Sequence, residues 1–483
     1  MKSSIHMFLI LLLILFACAP AVEKKDTFQI ALKPMPEPVS ETLEEAGAYL
    51  ETVPDQAPDV YEPGEWPLIK TGERVLALLD KGAREGVLSA REKELLISMA
   101  DYMLTFQFEK EEDFCLPGAA LALAGLVLST PEKPDHRYGY GLSRMWYGYT
   151  EWKRPERLRD LVSYVLDAAA SRGLPLLPGM LKFYADTGMK APANVKTFDP
   201  GGTELEFLHR LELPGDWGLK LSAALKAGDQ GLAKSLVAHY YADKISCFRP
   251  LIPAGEVDLD EAEDLLKNII ILRAHMERRH DFGETVDWTT VLDGDIESNV
   301  SLNHHPMMLH LAKAWAQTGD DRFRDHLIEL MRSWLEQSPR PNICQWLQWR
   351  TLEVGGRAAN RWPQVLALLS GDSTFVAEMF FPMVYSLYQH ADYLMVNNMR
   401  HPNNWSQVES AGLLAASLLL SEHRDSGLYR KTALRRFRYL NSFLYFPDGL
   451  QTENSFYYHG FPLGTQMNVY EIAQSLGTVL DTS

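Results

Sequence analysis

From about residue 66 onward, apolar side chains recur at the three- and four-residue spacing of amphipathic helices, and alternating strand-like patterns are scarce. In the first half this spacing predicts one helix near Gly72 and another over residues 89–106, followed by helices over 119–128, 142–151, 157–170 and 176–187. Ser89 is the predicted N-cap of the second helix, because Glu92 follows three residues later as in a capping box. The pattern therefore predicts a helical array over residues 61–200.

A linker is predicted at residues 189–203, which contain Pro and Gly, and the helical pattern then resumes. The predicted helices, mostly hairpin pairs, cover residues 217–227, 230–244, 260–279, 306–319, 321–337, 361–369, 374–396, 406–420, 427–445 and 463–480. No run of short β-branched strands is predicted. Paired helices joined by loops rich in Trp, His, Arg and Asn indicate an all-α fold, an (α/α) toroid over residues 201–483 in which loops at one end line a cleft.

The first 60 residues differ from the rest of the chain. Met1-Lys2 and the apolar run from Phe8 to Phe16 are typical of a targeting signal, since the run is too short for a mature membrane span. Leu15-Phe16-Ala17-Cys18 resembles the lipobox of bacterial lipoproteins, which implies a lipid on Cys18 and a membrane anchor; the alternative is an ordinary secretory signal. Ala19, where aspartate would suggest inner-membrane retention, implies an outer-membrane lipoprotein facing the periplasm or the cell surface. The Pro-rich residues 19–60 are predicted to be an extended tether.

Composition narrows the ligand classes. The chain is 46% hydrophobic and 11% aromatic, enough for large cores, and its formal net charge of -17 argues against nucleic acid. An anionic ligand would need a local cluster of cations that opposes the overall field. Cys115, Cys247 and Cys344 are far apart and lack metal-ligand spacing, so neither a metal site nor another cofactor is predicted.

Two polar stretches adjoin apolar helical runs near the C-terminal end. The first is Asn403-Asn404-Trp405-Ser406-Gln407-Val408-Glu409, preceded by Arg400-His401-Pro402. The second is Glu453-Asn454-Ser455-Phe456-Tyr457-Tyr458-His459. The 54 residues from Asn404 to Tyr458 are enough for one helical hairpin with its loops, so both stretches are predicted to face one cleft.

Five stretches in a fixed order resemble the N-terminal helical domain of the heparinase II/III-like polysaccharide lyases, a group that spans heparin/heparan lyases and alginate lyases. They are Leu211-Glu212-Leu213-Pro214-Gly215 to His239-Tyr240-Tyr241, Asp287-Trp288 to Asp320, Trp349 to Trp362, Asn403-Asn404-Trp405, and Glu453 to His459. The resemblance runs from about Glu204 onward and leaves residues 60–200 uncovered. It implies a lyase whose partner is an acidic, uronate-containing polysaccharide, heparan-sulfate-like or alginate-like.

Such a lyase works by β-elimination, and the residue types fit that chemistry. The proton beside a uronate carboxylate is a poor acid, so the developing charge must be stabilised, which the amide of Asn404 can do. A base must then take the proton and an acid must protonate the leaving oxygen. The resemblance implies Tyr458 as the acid, with the base role also open to it; His459 is a candidate base, subsite contact or orienting partner.

Further residues are candidates for substrate binding, each with a structural alternative. They are His304, His305, Trp349, Arg357, His401, Asn403, Trp405 and Glu409. Arg357 could bind a substrate carboxylate or pair with Glu353 one turn earlier. The tryptophans could stack on sugars or fill the core. Asn404 itself could be the cap of a helix that starts near Ser406, and Tyr458 could simply pack at a loop.

Two departures from the family pattern shape the alternatives. Trp405 stands where alginate-type members have His, which disfavours an alginate substrate. The family continues into a β-sandwich that supplies a catalytic His and often a metal, whereas this chain ends at Ser483, so the sandwich is expected to be absent. A glycan-binding module without turnover is therefore a second hypothesis. A toroid glycoside hydrolase using two of Asp287, Glu353, Glu409 and Glu453 is a third.

Overall fold

The computed structural model describes residues 27–35, 68–105, 115–130, 135–151, 156–177, 179–187, 197, 202–252, 255–272, 278–341, 347–398, 403–446, 449–452 and 456–480. Cys18 lies outside these residues, as do His401 and most of the predicted tether. In the described part no single helix is both long and apolar enough to cross a membrane. The bent pair Thr351–Leu369 and Ser373–Val396 has the length and composition, and its side chains fill the core described below.

The N-terminal part is the predicted helical array with one added strand pair. Its elements are β1 (Thr27–Gln29), α1 (Leu68–Glu85), β2 (Val87–Ser89), α2 (Ala90–Thr105), α3 (Cys115–Leu128), α4 (His136–Glu151), α5 (Glu156–Ser171) and α6 (Met180–Thr187). The predicted capping box at the start of α2 is confirmed: the Ser89 N–H donates to Glu92 Oε2 at 2.7 Å and the Glu92 N–H donates to Ser89 Oγ at 3.3 Å.

Glycines bring α3 and α4 into backbone contact at the centre of this array. A Cβ on Gly125 would lie 2.1 Å from the Tyr138 nitrogen, and one on Gly141 would lie 2.2 Å from the Ala122 nitrogen. No side chain fits at either point, so these positions require glycine. Helix α3 is buried along almost its entire length, and helices α1, α2, α4 and α5 pack against it.

Part of the predicted tether belongs to the array. Strand β1 pairs antiparallel with β2, and the Met35 N–H donates to Asp80 Oδ1 at 2.7 Å. Ile30 and Met35 are buried. The assignment of residues 19–60 to an extended tether is therefore wrong for residues 27–35, because apolar side chains within this segment have a core to join.

The C-terminal part is an (α/α) toroid, as predicted, and Asp320, Asp258 and Thr203 cap three of its helices. The first group of elements is α7 (Glu204–His209), α8 (Gly215–Lys226), α9 (Gln230–Ile245), a 3₁₀ helix (Ser246–Leu251), α10 (Leu259–Leu265), β3 (Ile269–Leu272), β4 (Arg278–Asp281), α11 (Ile296–Asn303), α12 (Pro306–Thr318) and α13 (Asp321–Gln337). The second group is α14 (Thr351–Gly356), a π-helix (Arg357–Arg361), α15 (Trp362–Leu369), α16 (Ser373–Phe375), a π-helix (Val376–Phe380), α17 (Phe381–Val396), α18 (Asn404–Leu419), α19 (Ser426–Leu444) and α20 (Phe456–Ser475).

One predicted helix, residues 260–279, is wrong beyond its first turns. Helix α10 ends at Leu265, and Asn268 takes a left-handed backbone conformation with φ of 56°. Three consecutive isoleucines then form β3, which pairs antiparallel with β4. Because β-branched side chains favour strands, this local preference overrides the helical spacing read from the longer window.

Helix α18 is the central helix of the toroid. Apart from Trp405, its residues from Asn404 to Leu419 are buried. Its close partner is α14: a Cβ on Gly412 would lie 2.6 Å from the Gly355 Cα, and one on Gly355 would lie 2.6 Å from the Val408 oxygen. This glycine contact brings the residues of α14 against the N-terminal half of α18.

A buried histidine joins the first helix of the toroid to the loop between α18 and α19. His423 stacks on Phe207 of α7, with 5.6 Å between ring centroids, and its Nδ1 accepts the Asp425 N–H at 3.2 Å. Burial, with the nearby charges of Arg210 and Arg424, lowers the pKa of His423 to about 3. The imidazole is therefore neutral in the folded protein at neutral pH.

This pKa predicts a loss of stability in acid. The unfolded chain binds a proton at His423 below about pH 6.5, whereas the folded chain does so only near pH 3. The free energy of unfolding should therefore fall as pH drops through this window, by up to about 1.4 kcal/mol per pH unit from this group. Urea denaturation between about pH 7 and about pH 5 should show a shallower pH dependence for His423→Asn. Replacing exposed His239 by Asn is the control; equal slopes for His423→Asn and wild type would contradict the assignment.

Candidate active site

Asn403 caps α18. Its Oδ1 accepts the Ser406 N–H at 3.1 Å, and the Ser406 Oγ accepts the Asn403 N–H at 3.0 Å, which completes a reciprocal capping box. The alternative in which Asn404 caps this helix is therefore wrong. Asn403, predicted as a substrate contact, has a structural role in this geometry because its amide oxygen serves the helix backbone.

Asn404 is the first residue of α18 and is 6% exposed. The first backbone N–H groups of a helix point outward from its N-terminus and, with the helix dipole, favour negative charge there. The half-buried indole of Trp405 follows it. The start of α18 therefore favours a negatively charged group electrostatically.

Arg350 covers the face of Trp405. Its guanidinium carbon lies 4.5 Å from the ring centroid, a cation–π contact. The same guanidinium holds buried Glu353 with two hydrogen bonds, from Nε at 2.6 Å and from Nη2 at 2.8 Å. Its Nη1 donates to Glu297, a half-exposed carboxylate, at 3.1 Å. Arg350 was assigned no role from the sequence; its three-residue spacing from Glu353 was the available signal.

His304 joins this group as a neutral ring. Its Nε2 lies 3.5 Å from Glu353 Oε1, and a quarter of its side chain is exposed. Burial, together with Arg361 and Arg350, lowers its pKa to about 3. Burial raises the pKa of Glu353, and the bound Arg350 opposes that rise. The positive charge beside Trp405 therefore comes from Arg350 and not from His304.

We name Arg350, Glu353, His304, Asn404 and Trp405 the α14–α18 cluster. It combines an amide at a helix start, a cation stacked on an indole, and a neutral imidazole. The partner of Arg350 on the exposed side is Glu297, which an incoming anion could replace. Among the described residues, no group of three or more His, Cys, Asp and Glu side chains is arranged to hold a metal.

Removing the cation of this cluster is expected to destabilise the fold. Arg350→Met would leave the carboxylate of Glu353, which is fully buried, without its two hydrogen bonds, and breaking such a pair costs about 3 kcal/mol. Urea denaturation of the purified protein measures this loss. The double variant Arg350→Met with Glu353→Gln should recover part of it, because the uncompensated charge is gone.

A matched control is the exposed pair of Arg332 and Glu378, whose side chains are 47% and 48% exposed. Arg332→Met should change the free energy of unfolding by about 1 kcal/mol or less, since exposed ion pairs contribute little. Equal losses for the Arg350 and Arg332 variants would refute a supporting role for the buried pair.

Four predicted substrate contacts lie in the interior instead. His305, Arg357 and Glu409 have no exposed surface, and Trp349 is 1% exposed. His305 packs edge-on against Trp334, 4.8 Å between ring centroids, and its Nδ1 accepts the Trp362 indole N–H at 3.1 Å. As the chain folds here, these side chains support the site from behind and present no surface to a polysaccharide.

Arg357 lies at the centre of these interior side chains. Its Nε donates to His390 Nε2 at 3.0 Å and its Nη1 donates to the Asn303 carbonyl at 2.7 Å. Its guanidinium lies 4.7 Å from the Trp334 ring centroid. In the structural alternative Arg357 pairs with Glu353; the charge of Glu353 does act on Arg357, but the hydrogen bonds of that carboxylate come from Arg350. His390, missed from the sequence, is the partner.

The segment just before the second polar stretch contacts the N-terminal half of α18. Gln451 is fully buried and its Nε2 donates to Gln407 Oε1 at 3.1 Å, while Gln407 Nε2 donates to the Tyr445 hydroxyl at 3.0 Å. Helix α20 then begins at Phe456 and packs against α18. Tyr458 and His459 fall in its first turn; their side chains, like His401, lie outside what the structure describes.

The carboxylates considered for hydrolysis do not form a pair in the described residues. Glu353 is bound by Arg350, Glu409 is fully buried, and Asp287 accepts the Thr289 N–H at 2.9 Å in a local turn. Glu453 lies outside the described residues. A hydrolase needs two carboxylates across a cleft, so this geometry does not support that alternative.

Fold and cluster together define a class: an (α/α) toroid with a polar cluster at the start of its central helix. Residues 211–481, more than half of the chain, match the family described as "Heparinase II/III N-terminus". The chain therefore belongs to the heparinase II/III family of polysaccharide lyases.

Two curated relatives are heparin-sulfate lyases. The one from Bacteroides thetaiotaomicron is 22% identical over 270 residues, 52% of this chain and 38% of the relative. The one from Pedobacter heparinus is 23% identical over 268 residues, 53% of this chain and 40% of the relative. The chain thus matches about two fifths of the length of these relatives.

Two solved structures align with about half of this chain. A crystal structure of heparinase III aligns with a TM-score of 0.50 at 18% identity, covering 58% of this chain and 44% of that one. A heparan sulfate lyase from Pedobacter heparinus aligns with a TM-score of 0.46 at 20% identity, covering 56% and 47%. At 18% identity the likeness to heparinase III is one of fold alone, and the prediction of a toroid is confirmed.

Proposed function

We propose that this protein cleaves an acidic, uronate-containing polysaccharide by β-elimination. The observation that carries the proposal is the start of α18, where Asn403 is the N-cap, Asn404 is the first helical residue, and the next residue, Trp405, stacks under the guanidinium of Arg350. The family and its heparin-sulfate lyase relatives support the same chemistry.

In the proposed reaction, Asn404 and the N-terminus of α18 bind the uronate carboxylate. As the C5–H bond breaks, negative charge spreads onto that carboxylate, and the amide donor stabilises it. The C4–O bond then breaks, a double bond forms between C4 and C5, and the leaving oxygen takes a proton. Water is not consumed, so this step differs from hydrolysis.

Tyr458 is proposed to move the protons, as acid and also as base. A tyrosine has an ordinary pKa of about 10 and acts as a base only where nearby cations lower that value. The loop before α20 is anchored to Gln407, one turn from Asn404, which supports placing both stretches at one cleft. His459 is retained as an orienting partner or alternative base.

Arg350 and Trp405 are proposed to determine substrate specificity. The guanidinium of Arg350, which is 5% exposed, covers one face of the half-buried indole, so a sugar ring would meet the exposed part of Trp405 and would reach this cation only by displacing Glu297. The overall charge of -17 repels polyanions at long range, so this local cation must provide the attraction. Trp405 in place of His favours a heparan-sulfate-like over an alginate-like glycan.

The test is a panel of polysaccharides given to the purified full chain: heparan sulfate, chondroitin, hyaluronan and alginate. The expected result is ultraviolet-absorbing unsaturated uronate from heparan sulfate, and little from alginate. Binding to these glycans with no product from any of them would support the module without turnover and would overturn the lyase proposal.

A further inference from the structure

Two buried arginines hold the C-terminal end of α17, the helix that leads into Asn403 and Asn404. Arg144 of α4 donates through Nη2 to the Met395 carbonyl at 2.9 Å. Arg436 of α19 donates to the same carbonyl at 3.3 Å and to the Leu394 carbonyl at 2.8 Å. The last carbonyls of a helix have no hydrogen-bond donor within the helix and favour cations. Both guanidiniums therefore supply the donors that these carbonyls lack.

Arg144 links two helix ends that belong to different parts of the chain. Besides Met395 it donates to the carbonyls of Met103 and Leu104, at the end of α2 in the array. It is 1% exposed. One side chain therefore ties the array over residues 68–187, which the family match does not cover, to the toroid helix before the candidate site.

The hydrogen bonds of Arg436 extend past the end of α17. With the amide oxygen of Asn398 oriented toward it, Arg436 donates from Nε and Nη2, each at 3.2 Å. Within α17, about one turn before Met395, Asp392 accepts hydrogen bonds from the Tyr140 hydroxyl of α4 at 3.2 Å and from Arg340 Nη2 at 2.6 Å. The end of α17 and the residues up to Asn398 are thus held by side chains from the array and the toroid together.

We propose that the N-terminal array is a positioning domain for the elimination site and that Arg144 is the positioning residue through which it acts. This inference rests on the proposed function of Asn404. Arg144 touches no substrate; it fixes the end of α17, and through it the register in which Asn403 and Asn404 enter α18. Misplacing a reacting group by about 1 Å can lower a rate about 100-fold, so such a brace matters for catalysis.

The experiment compares Arg144→Met with Arg172→Met in the full chain. Arg172 is the matched control, because it also donates to backbone carbonyls, those of Leu126 and Ser129, but within the array alone. Hydrogen exchange of backbone amides over residues 403–410 should become about tenfold faster in Arg144→Met and stay at the wild-type rate in Arg172→Met. With heparan sulfate as substrate, kcat should fall at least about tenfold in Arg144→Met while KM stays within about twofold.

Arg144→Lys keeps the charge with fewer donors and should give intermediate exchange and partly restored kcat. If Arg144→Met does not fold, hydrogen exchange in Arg144→Lys tests the inference instead. Wild-type exchange at residues 403–410 in both Arg144 variants would overturn the inference. A wild-type protein without lyase activity would overturn the proposed function. Hydrogen exchange does not depend on turnover, so it would still test whether Arg144 positions residues 403–410.

Discussion

Asn404→Leu is expected to lower kcat on heparan sulfate by about 100-fold to 1,000-fold, the usual effect of losing one donor to a developing oxyanion. Leucine has nearly the shape of asparagine and favours helices, so α18 should still start at residue 404. Because the amide acts on charge that grows during the reaction, the loss should fall on kcat more than on KM. Initial rates of unsaturated-product formation measure both constants.

The neighbouring asparagine gives a matched control for this prediction. Asp is as good an N-cap as Asn, so Asn403→Asp should leave folding nearly unchanged. Asn403→Ala should lower the free energy of unfolding by about 1 kcal/mol through loss of the cap hydrogen bond to Ser406. Neither should approach the loss of kcat at Asn404. Activity of Asn404→Leu within tenfold of wild type would remove this residue from the mechanism.

Tyr458→Phe is expected to lower kcat by about 1,000-fold or more, because general acid–base catalysis contributes about 100-fold to 10,000-fold. Phenylalanine keeps the ring and removes only the hydroxyl that would carry the proton. Thermal unfolding should be close to that of wild type. Steady-state rates on heparan sulfate, with protein folding checked by circular dichroism, provide the measurement.

Tyr470 on the same helix is the control, since its side chain is 45% exposed. Tyr470→Phe should keep wild-type rates. If Tyr458→Phe also keeps them, the proton transfers belong to another group, and His459→Ala then tests the nearest alternative in the chain. Loss of activity in His459→Ala alone would assign the base to the histidine.

Helix spacing predicted most of the toroid because amphipathic helices that pack on one core carry that spacing in their sequence. The helix predicted at residues 321–337 is present as Asp321–Gln337. The prediction over residues 260–279 failed where Asn268 and a run of isoleucines favoured a turn and a strand. Residues 27–35 were missed because a three-residue strand leaves little periodic signal.

The site was harder to predict because sequence does not tell which polar loop residues turn inward. His305 and Arg357 were candidate sugar ligands with structural alternatives, and tryptophan rings and the Asn303 carbonyl hold them in the interior. Arg350 was overlooked because its contact with Trp405 joins residues 55 positions apart across a helix pair. The close contact of Gly355 with Gly412 helps to bring those helices together.

The most direct test of elimination is to cleave heparan sulfate in water enriched in heavy oxygen and to weigh the products. Elimination uses no water at the broken bond, so the account predicts fragments that carry the C4–C5 double bond and no heavy oxygen. Saturated fragments with one heavy oxygen for each broken bond would show hydrolysis and contradict it.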